Sequence, residues 1–264
     1  MKNAKSSKIS SLIDTWQDIG IETGDMLLVH SSLKRTLRNL NADIGDVTPG
    51  DILQSFQEAL GEKGTLILPA FNYGFARGEP FDIRNNPSLM GVLTETARQA
   101  PGAVRTGHPI FSFIALGADS GRFRDLDNYS AFGPDSPFAI IKEMNGKIAV
   151  LDVRETNSLT FYHYVEECHE VPYRYHKVFR APYKSWNGKT EVREYGFFVR
   201  DLEKKVVADM EGMGEMLWEK GLYTGCRPGT GCGLRVVSAK ALFDATTEVI
   251  HEGRAEGMLF HYET

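Results

Sequence analysis

Met26-Leu-Leu-Val-His30, followed by Ser31, Ser32 and Leu33, is an apolar run that ends abruptly in polar side chains. A strand covered on both faces reads this way, because neither face needs a polar row for water. On its N-terminal side, residues 8–19 place Ile9, Leu12, Ile13, Trp16 and Ile19 on one helical face, and Gly20 and Gly24 then break the helix. On its C-terminal side, Thr48-Pro-Gly-Asp51 opens a helix that runs through Leu60, with a capping Thr and a Pro at the first helical position. The alternation continues with a strand at 65–69, a helix at 89–99 and a strand at 111–116. A short helix at 137–143, a strand at 147–153 and a helix at 159–168 follow. Helices alternating with short apolar strands predict an α/β fold, a layered mixed sheet with crossover helices.

The last third changes character. Residues 191–199 and 205–208 read as antiparallel strands, 211–220 as a helix, 225–233 as a glycine-rich loop and 236–243 as a closing helix or strand-helix. No linker separates this antiparallel C-terminal part, so residues 1–264 are expected to form a single domain.

Composition narrows the function classes. The chain has 264 residues, 42% hydrophobic and 25% charged, with a net charge of -5, which gives no basic surface for nucleic acid or an anionic membrane. No apolar run approaches the roughly 20 residues of a membrane span, and no signal-peptide core follows the Lys/Ser-rich start, so a cytoplasmic location is expected. The three cysteines, Cys168, Cys226 and Cys232, suggest no disulfide framework. No tight His/Cys ligand spacing suggests a metal, and none is expected.

Three stretches carry chemistry. In Asn157-Ser-Leu-Thr-Phe-Tyr-His-Tyr-Val-Glu166, Thr160, His163 and Glu166 follow one another at intervals of three. On a helix such neighbours share a face, so a carboxylate can orient the imidazole as a base. The same spacing fits an amphipathic helix with solvated His and Glu. In Val29-His-Ser-Ser-Leu33, the hydroxyls and backbone amides at a helix start suit a pyrophosphate, and Lys34 and Arg35 add charge; a plain Ser cap fits as well. In Arg105-Thr-Gly-His-Pro-Ile-Phe-Ser112, Arg105 has the chemistry to meet a phosphate, while His108 fits a structural role equally. Phe132-Gly-Pro-Asp-Ser-Pro137 is turn chemistry before a helix. Asp152 and Glu155 fit either an amine contact or a solvated loop, and Tyr162, Tyr164, Tyr173, Tyr175 and Phe179 fit either a sugar-stacking wall or the core.

Taken in order, these stretches resemble the aminoglycoside 3-N-acetyltransferase family, which is distinct from the GNAT superfamily. The resemblance runs from His30-Ser31-Ser32-Leu33 through Gly64-Thr-Leu-Ile-Leu-Pro-Ala-Phe-Asn72 and Pro87-Ser-Leu-Met-Gly91. It continues over Arg105, His108 and Ser112, Gly133-Pro134, the Thr160/His163/Glu166 set and Ser238-Ala-Lys-Ala-Leu-Phe-Asp244. It implies acetyl-CoA as co-substrate and direct transfer to an amine. His163 would be the general base, oriented by Glu166, with Thr160 in the same pocket. It implies that His30, Ser31, Ser32, Leu33, Lys34, Arg105, His108 and Ser112 hold the pantetheine and phosphates.

Two departures bear on the acceptor. The glycine-rich turn usual in aminoglycoside-modifying members is replaced by Asp152-Val-Arg-Glu-Thr-Asn157, and Arg154, Arg174, Lys177 and Arg180 make the following region basic. Polycations favour acidic walls. The expected acceptor is therefore an amino sugar carrying a phosphate or nucleotide. The alternatives are an aminoglycoside, a non-catalytic CoA-binding relative and, without any GxSxG elbow, a hydrolase built on Ser31 or Ser112. A histidine base is expected to give activity rising through roughly pH 6–8. Oligomeric state, acyl length and regiochemistry leave no mark in the residues.

Overall fold

The apolar run becomes the central strand of a large sheet. The computed structural model describes residues 2–44 and 46–263. In chain order the first elements are α1 (Lys2–Asp18), β1 (Met26–Ser31), α2 (Leu33–Ile44), α3 (Pro49–Leu60), β2 (Thr65–Pro69), β3 (Phe81–Asp82), α4 (Val92–Arg98), β4 (Val104–Arg105) and β5 (Phe113–Gly117). Then come α5 (Pro137–Glu143), β6 (Lys147–Leu151), α6 (Phe161–Cys168), β7 (Arg174–Lys184), β8 (Thr190–Arg200), β9 (Val206–Ala208), α7 (Glu211–Glu219), β10 (Thr224–Gly225), β11 (Leu234–Ser238), α8 (Ala239–His251) and β12 (Phe260–Tyr262).

The main sheet has the order β10-β11-β6-β1-β2-β5-β4. β1 pairs in parallel with β2 on one side and β6 on the other, while β5, β4, β11 and β10 add antiparallel flanks. Both faces of β1 are covered, as its composition predicts. Met26 and Leu28 point into one hydrophobic core with Phe113, Phe138 and Val150; Leu27 and Val29 point into the other with Trp16, Phe56 and Leu68. α1 and α3 cover the second face. Trp16 stacks on Phe56 with ring centroids 4.9 Å apart and donates from Nε1 to Ser55 Oγ at 2.8 Å. At α3 the Thr48 hydroxyl accepts from the Asp51 amide and the Asp51 carboxylate accepts from the Thr48 amide, the cap expected from Thr48-Pro-Gly-Asp51.

Several boundaries differ from the sequence expectation. α1 begins at Lys2 rather than Lys8, because its first turns carry Lys, Asn and Ser without an apolar period. α2 follows β1 after one residue; its Leu33, Leu37 and Leu40 pack on the second core. α4 starts at Val92, after Gly91 at φ 108, and Leu89 before it is 55% exposed. β5 starts two residues late, because Phe111 and Ser112 belong to a bend tied back by His108 and Ala70. The 205–208 strand pairs with β12 and not with the 191–199 strand, which joins β7 in an eleven-pair hairpin flanked by β3. The 236–243 segment divides between β11, which enters the main sheet beside β6, and α8. Among the described residues no helix is long and apolar enough to cross a membrane.

Candidate active site

Strand β6 ends at Leu151, and the chain then turns through Asp152 at φ 52 towards α6. Two knots of side chains hold this turn. The Asp152 carboxylate accepts from Arg35 Nη1 at 2.9 Å, Thr36 Oγ1 at 3.1 Å and the Gly229 amide at 3.2 Å. Three residues on, buried Glu155 accepts from Tyr162 at 2.6 Å, Tyr223 at 2.7 Å and Arg235 at 2.8 Å. A buried carboxylate needs such partners, since an unpaired one is far more costly than a paired one. The second knot ties α6, β11 and the segment before β10 to the turn, and so fixes where His163 stands.

On α6, His163 Nδ1 lies 2.7 Å from Glu166 Oε2, as their spacing predicts. The Glu166 side chain is fully buried. The Arg174 guanidinium, from the start of β7, places Nε 2.7 Å from the same carboxylate oxygen. It also donates from Nη1 to the Phe198 carbonyl at 3.1 Å and brings Nη2 to 3.5 Å from His163 Nε2. The Tyr173 hydroxyl faces Glu166 as well. Burial alone would raise the Glu166 carboxyl, but Arg174 and His163 outweigh it and hold it below its ordinary range. Burial, with Arg174 and Arg200 in support, lowers the His163 imidazole against the opposing pull of Glu166. The result is an ionised carboxylate and a neutral imidazole at pH 7. With its Nδ1 proton directed at Glu166, His163 keeps a lone pair on Nε2.

His163 and Thr160 open onto a cavity of about 540 Å³, within the usual range for a small-molecule site. Its aromatic wall includes Tyr73, Phe111, Phe179 and Phe197, from the loop after β2, the bend before β5 and the β7–β8 hairpin. Phe132 meets the His163 ring edge-on at 5.4 Å. Thr160 Oγ1 is shielded from solvent and makes no hydrogen bond among the described residues.

The family model described as aminoglycoside 3-N-acetyltransferase matches residues 28–251. This chain belongs to the aminoglycoside 3-N-acetyltransferase family. Relatives include aminoglycoside N(3)-acetyltransferase IV of Salmonella sp, 31% identical over 62% of this chain and 60% of its own. Another is aminoglycoside N(3)-acetyltransferase VII of Streptomyces paromomycinus, 27% identical over 58% of each chain. The matched region thus spans about three fifths of these relatives' length. Among solved structures, aminoglycoside acetyltransferase AAC(3)-Xa shares the fold at TM-score 0.78 and 19% identity, covering 96% of this chain and 98% of its own. AAC-IIIb, solved with CoASH, does so at TM-score 0.76 and 23% identity, covering 93% and 96%.

Within this member of the family, the other residues expected to hold a donor separate into two groups. Arg105, His108 and Ser112 are structural, which corrects the expectation. Arg105 is buried and donates to Ser112 Oγ and to the carbonyls of Ile83, Asn86 and Ala70. His108 is fully buried. Its Nδ1 accepts from the Ile110 and Phe111 amides, its Nε2 contacts the Gly196 carbonyl, and burial lowers it to about 4. Ser112 is fully buried and donates to Ala70, which also removes it as a hydrolase nucleophile. The His30 and Leu33 side chains are buried too, so only their backbone can face a ligand. Ser31 is half-buried, and Ser32 and Lys34 are exposed at the start of α2; none of the three lines the His163 cavity. Asp152 and Glu155 are consumed by the two knots and offer nothing to an amine.

Spacing does not reveal the contacts of Arg174 with Glu166 or of Arg235 with Glu155, because they join elements distant in sequence. The basic rim is also thinner than the composition of 154–180 suggests. Arg174 is buried against Glu166, Arg154 pairs with Glu211 and Arg180 with Glu194, leaving Lys177. A period-two reading of Tyr175, Lys177 and Phe179 would have placed these three on one strand face, and all three line the cavity.

Proposed function

We propose that this protein is an acetyl-CoA-dependent N-acetyltransferase acting on the amine of an amino sugar, with His163 as general base. The observation that carries this reading is His163. It is fixed through Nδ1 by a buried, ionised Glu166, kept neutral by burial, and turned towards a cavity of about 540 Å³. An amino-sugar amine is largely ammonium at neutral pH and must lose a proton before it attacks. His163 Nε2 accepts that proton, and Glu166 stabilises the imidazolium that results. Thr160 lines the same cavity beside His163.

The residues present fit the donor. The aromatic wall suits an extended thioester arm, and Ser31, Ser32 and Lys34 at the start of a twelve-residue helix suit its phosphates. Bound acetyl-CoA supplies the activated acyl group. Support for amino-sugar acceptors comes from the relatives: the matched proteins are named aminoglycoside acetyltransferases, and the fold neighbour AAC-VIa was solved with sisomicin. A non-catalytic CoA-binding protein would have no use for a buried His–Glu–Arg set beside a cavity.

The test is thiol release from acetyl-CoA by wild type and His163→Ala, against aminoglycosides and amino-sugar nucleotides. Turnover of either panel, lost by about 10²-fold or more in the variant, is the expected result. Equal activity in the variant would remove His163 from the mechanism.

A further inference from the structure

We propose that the acceptor carries a negatively charged group, a phosphate by preference, and that Lys177 and Arg200 on the β7–β8 hairpin recognise it. This rests on the transferase reading above and adds the class of its acceptor. The hairpin strands and their turn carry seven Lys and Arg side chains. Arg174 pairs with Glu166, Arg180 with Glu194, Lys184 with Asp82, Lys189 with Glu191, and Arg193 with Asp127 and Glu191. Lys177 and Arg200 have no ion pair among the described residues, and both line the His163 cavity. The remaining cations of the hairpin are thus neutralised by the protein itself, while these two are left for a ligand.

Among the described residues no Asp or Glu lines the cavity. Asp209 and Glu211 lie behind Thr156 and are engaged with its hydroxyl and amide, and Glu211 also pairs with Arg154. A polycation would therefore meet cations at the wall and no carboxylate to replace its hydration. An anion would gain charge-assisted hydrogen bonds from two side chains free to make them.

Position favours the acceptor over the donor as the source of that anion. Arg200 is close enough to His163 for its charge to bear on the imidazole. The phosphates of CoA lie the whole pantetheine arm away from the reacting thioester. A substituent on the sugar whose amine meets His163 lies within the reach of Arg200. Lys177, over the Phe179 ring at 5.4 Å, sits on the same wall.

The experiment compares UDP-glucosamine with methyl glucosaminide, the same ring and amine with and without negative charge. Binding is measured by calorimetry with CoA saturating, so that the donor's phosphates are already placed, and turnover by thiol release. Wild type is expected to favour the charged acceptor at least tenfold in both readouts, and Lys177→Met/Arg200→Met to lose at least tenfold of that preference. Aminoglycoside turnover without any binding of UDP-glucosamine would overturn the proposal and leave the transferase reading intact. So would an unchanged preference in the double variant, or a loss of CoA affinity in its place. Binding of UDP-glucosamine that depends on the two cations, with no turnover of any acceptor, would support the anion site and sink the transferase reading.

Discussion

Arg174→Met is the most informative single change. Glu166 is fully buried, and its partners are His163 and Arg174, each at 2.7 Å. The Arg174 side chain is itself only 5% exposed. Removing the arginine leaves a carboxylate out of water with only neutral neighbours, the His163 imidazole and the Tyr173 hydroxyl, among the described residues. Breaking a buried pair in this way costs about 3–5 kcal/mol. At roughly 2–4 °C per kcal/mol for a chain of this size, the melting temperature should fall by about 6–20 °C. Glu166→Gln should cost a similar amount by stranding the guanidinium. The double variant buries no unpaired charge, so it should be at least about 1–3 kcal/mol more stable than the sum of the singles predicts. Thermal and denaturant unfolding at pH 7.5 measures all four proteins. Single effects that add to within about 0.5 kcal/mol would show that Arg174 and Glu166 are energetically independent, and the account of a held base would fail.

Two further predictions concern pH and the turn before α6. His163 is lowered from 6.5, as are His30, to about 3 by burial and then Arg235, and His108, to about 4 by burial. A histidine lowered in the folded state binds protons more weakly there than in the unfolded chain, so stability is lost as pH falls below 6.5; depressed Glu166 adds a second loss below 4.5. Melting temperature should therefore drop steadily from pH 7 to 4, and a flat profile would contradict the burial of these imidazoles as neutral groups. The acid limb of kcat/KM assigned to His163 should likewise fall below pH 6.5, lower than an ordinary histidine base would put it. It is recognised as the limb that does not move between acceptors of different amine basicity. Gly233→Ala should destabilise the chain by at least about 1 kcal/mol, because Gly233 has φ 75 and a Cβ there would run into the Asp152 carboxylate. A variant as stable as wild type would show that the Asp152 knot gives way easily.

The parts of the fold legible in the sequence are those with a local cause. Met26 to Val29 is apolar on both faces and becomes the doubly covered β1, and Thr48-Pro49-Gly50-Asp51 carries its own cap and starts α3 as read. Elements whose cause is tertiary were hidden. β7 is mostly exposed along its first half, where adjacent Val178 and Phe179 interrupt a clean hydrophobic alternation; β8, eleven residues of partner, defines it. The strand at 206–208 is too short to declare its partner, and β12 reaches it from the far end of the chain.

The candidate site divides the same way. His163 and Glu166 were legible because three residues on a helix is a fixed distance in space. Arg174 lies eleven residues beyond His163, and only the path from α6 into β7 brings it back to Glu166. Arg105, His108 and Ser112 show the converse. A polar residue beside a strand end looks the same in sequence whether it faces a ligand or the backbone. These three are turned inward to satisfy the carbonyls and amides where β2 and β5 diverge. What separates binding from structural polarity is the count of partners already present. By that count the unpaired charges of Lys177 and Arg200 are where this cavity has capacity left for a ligand.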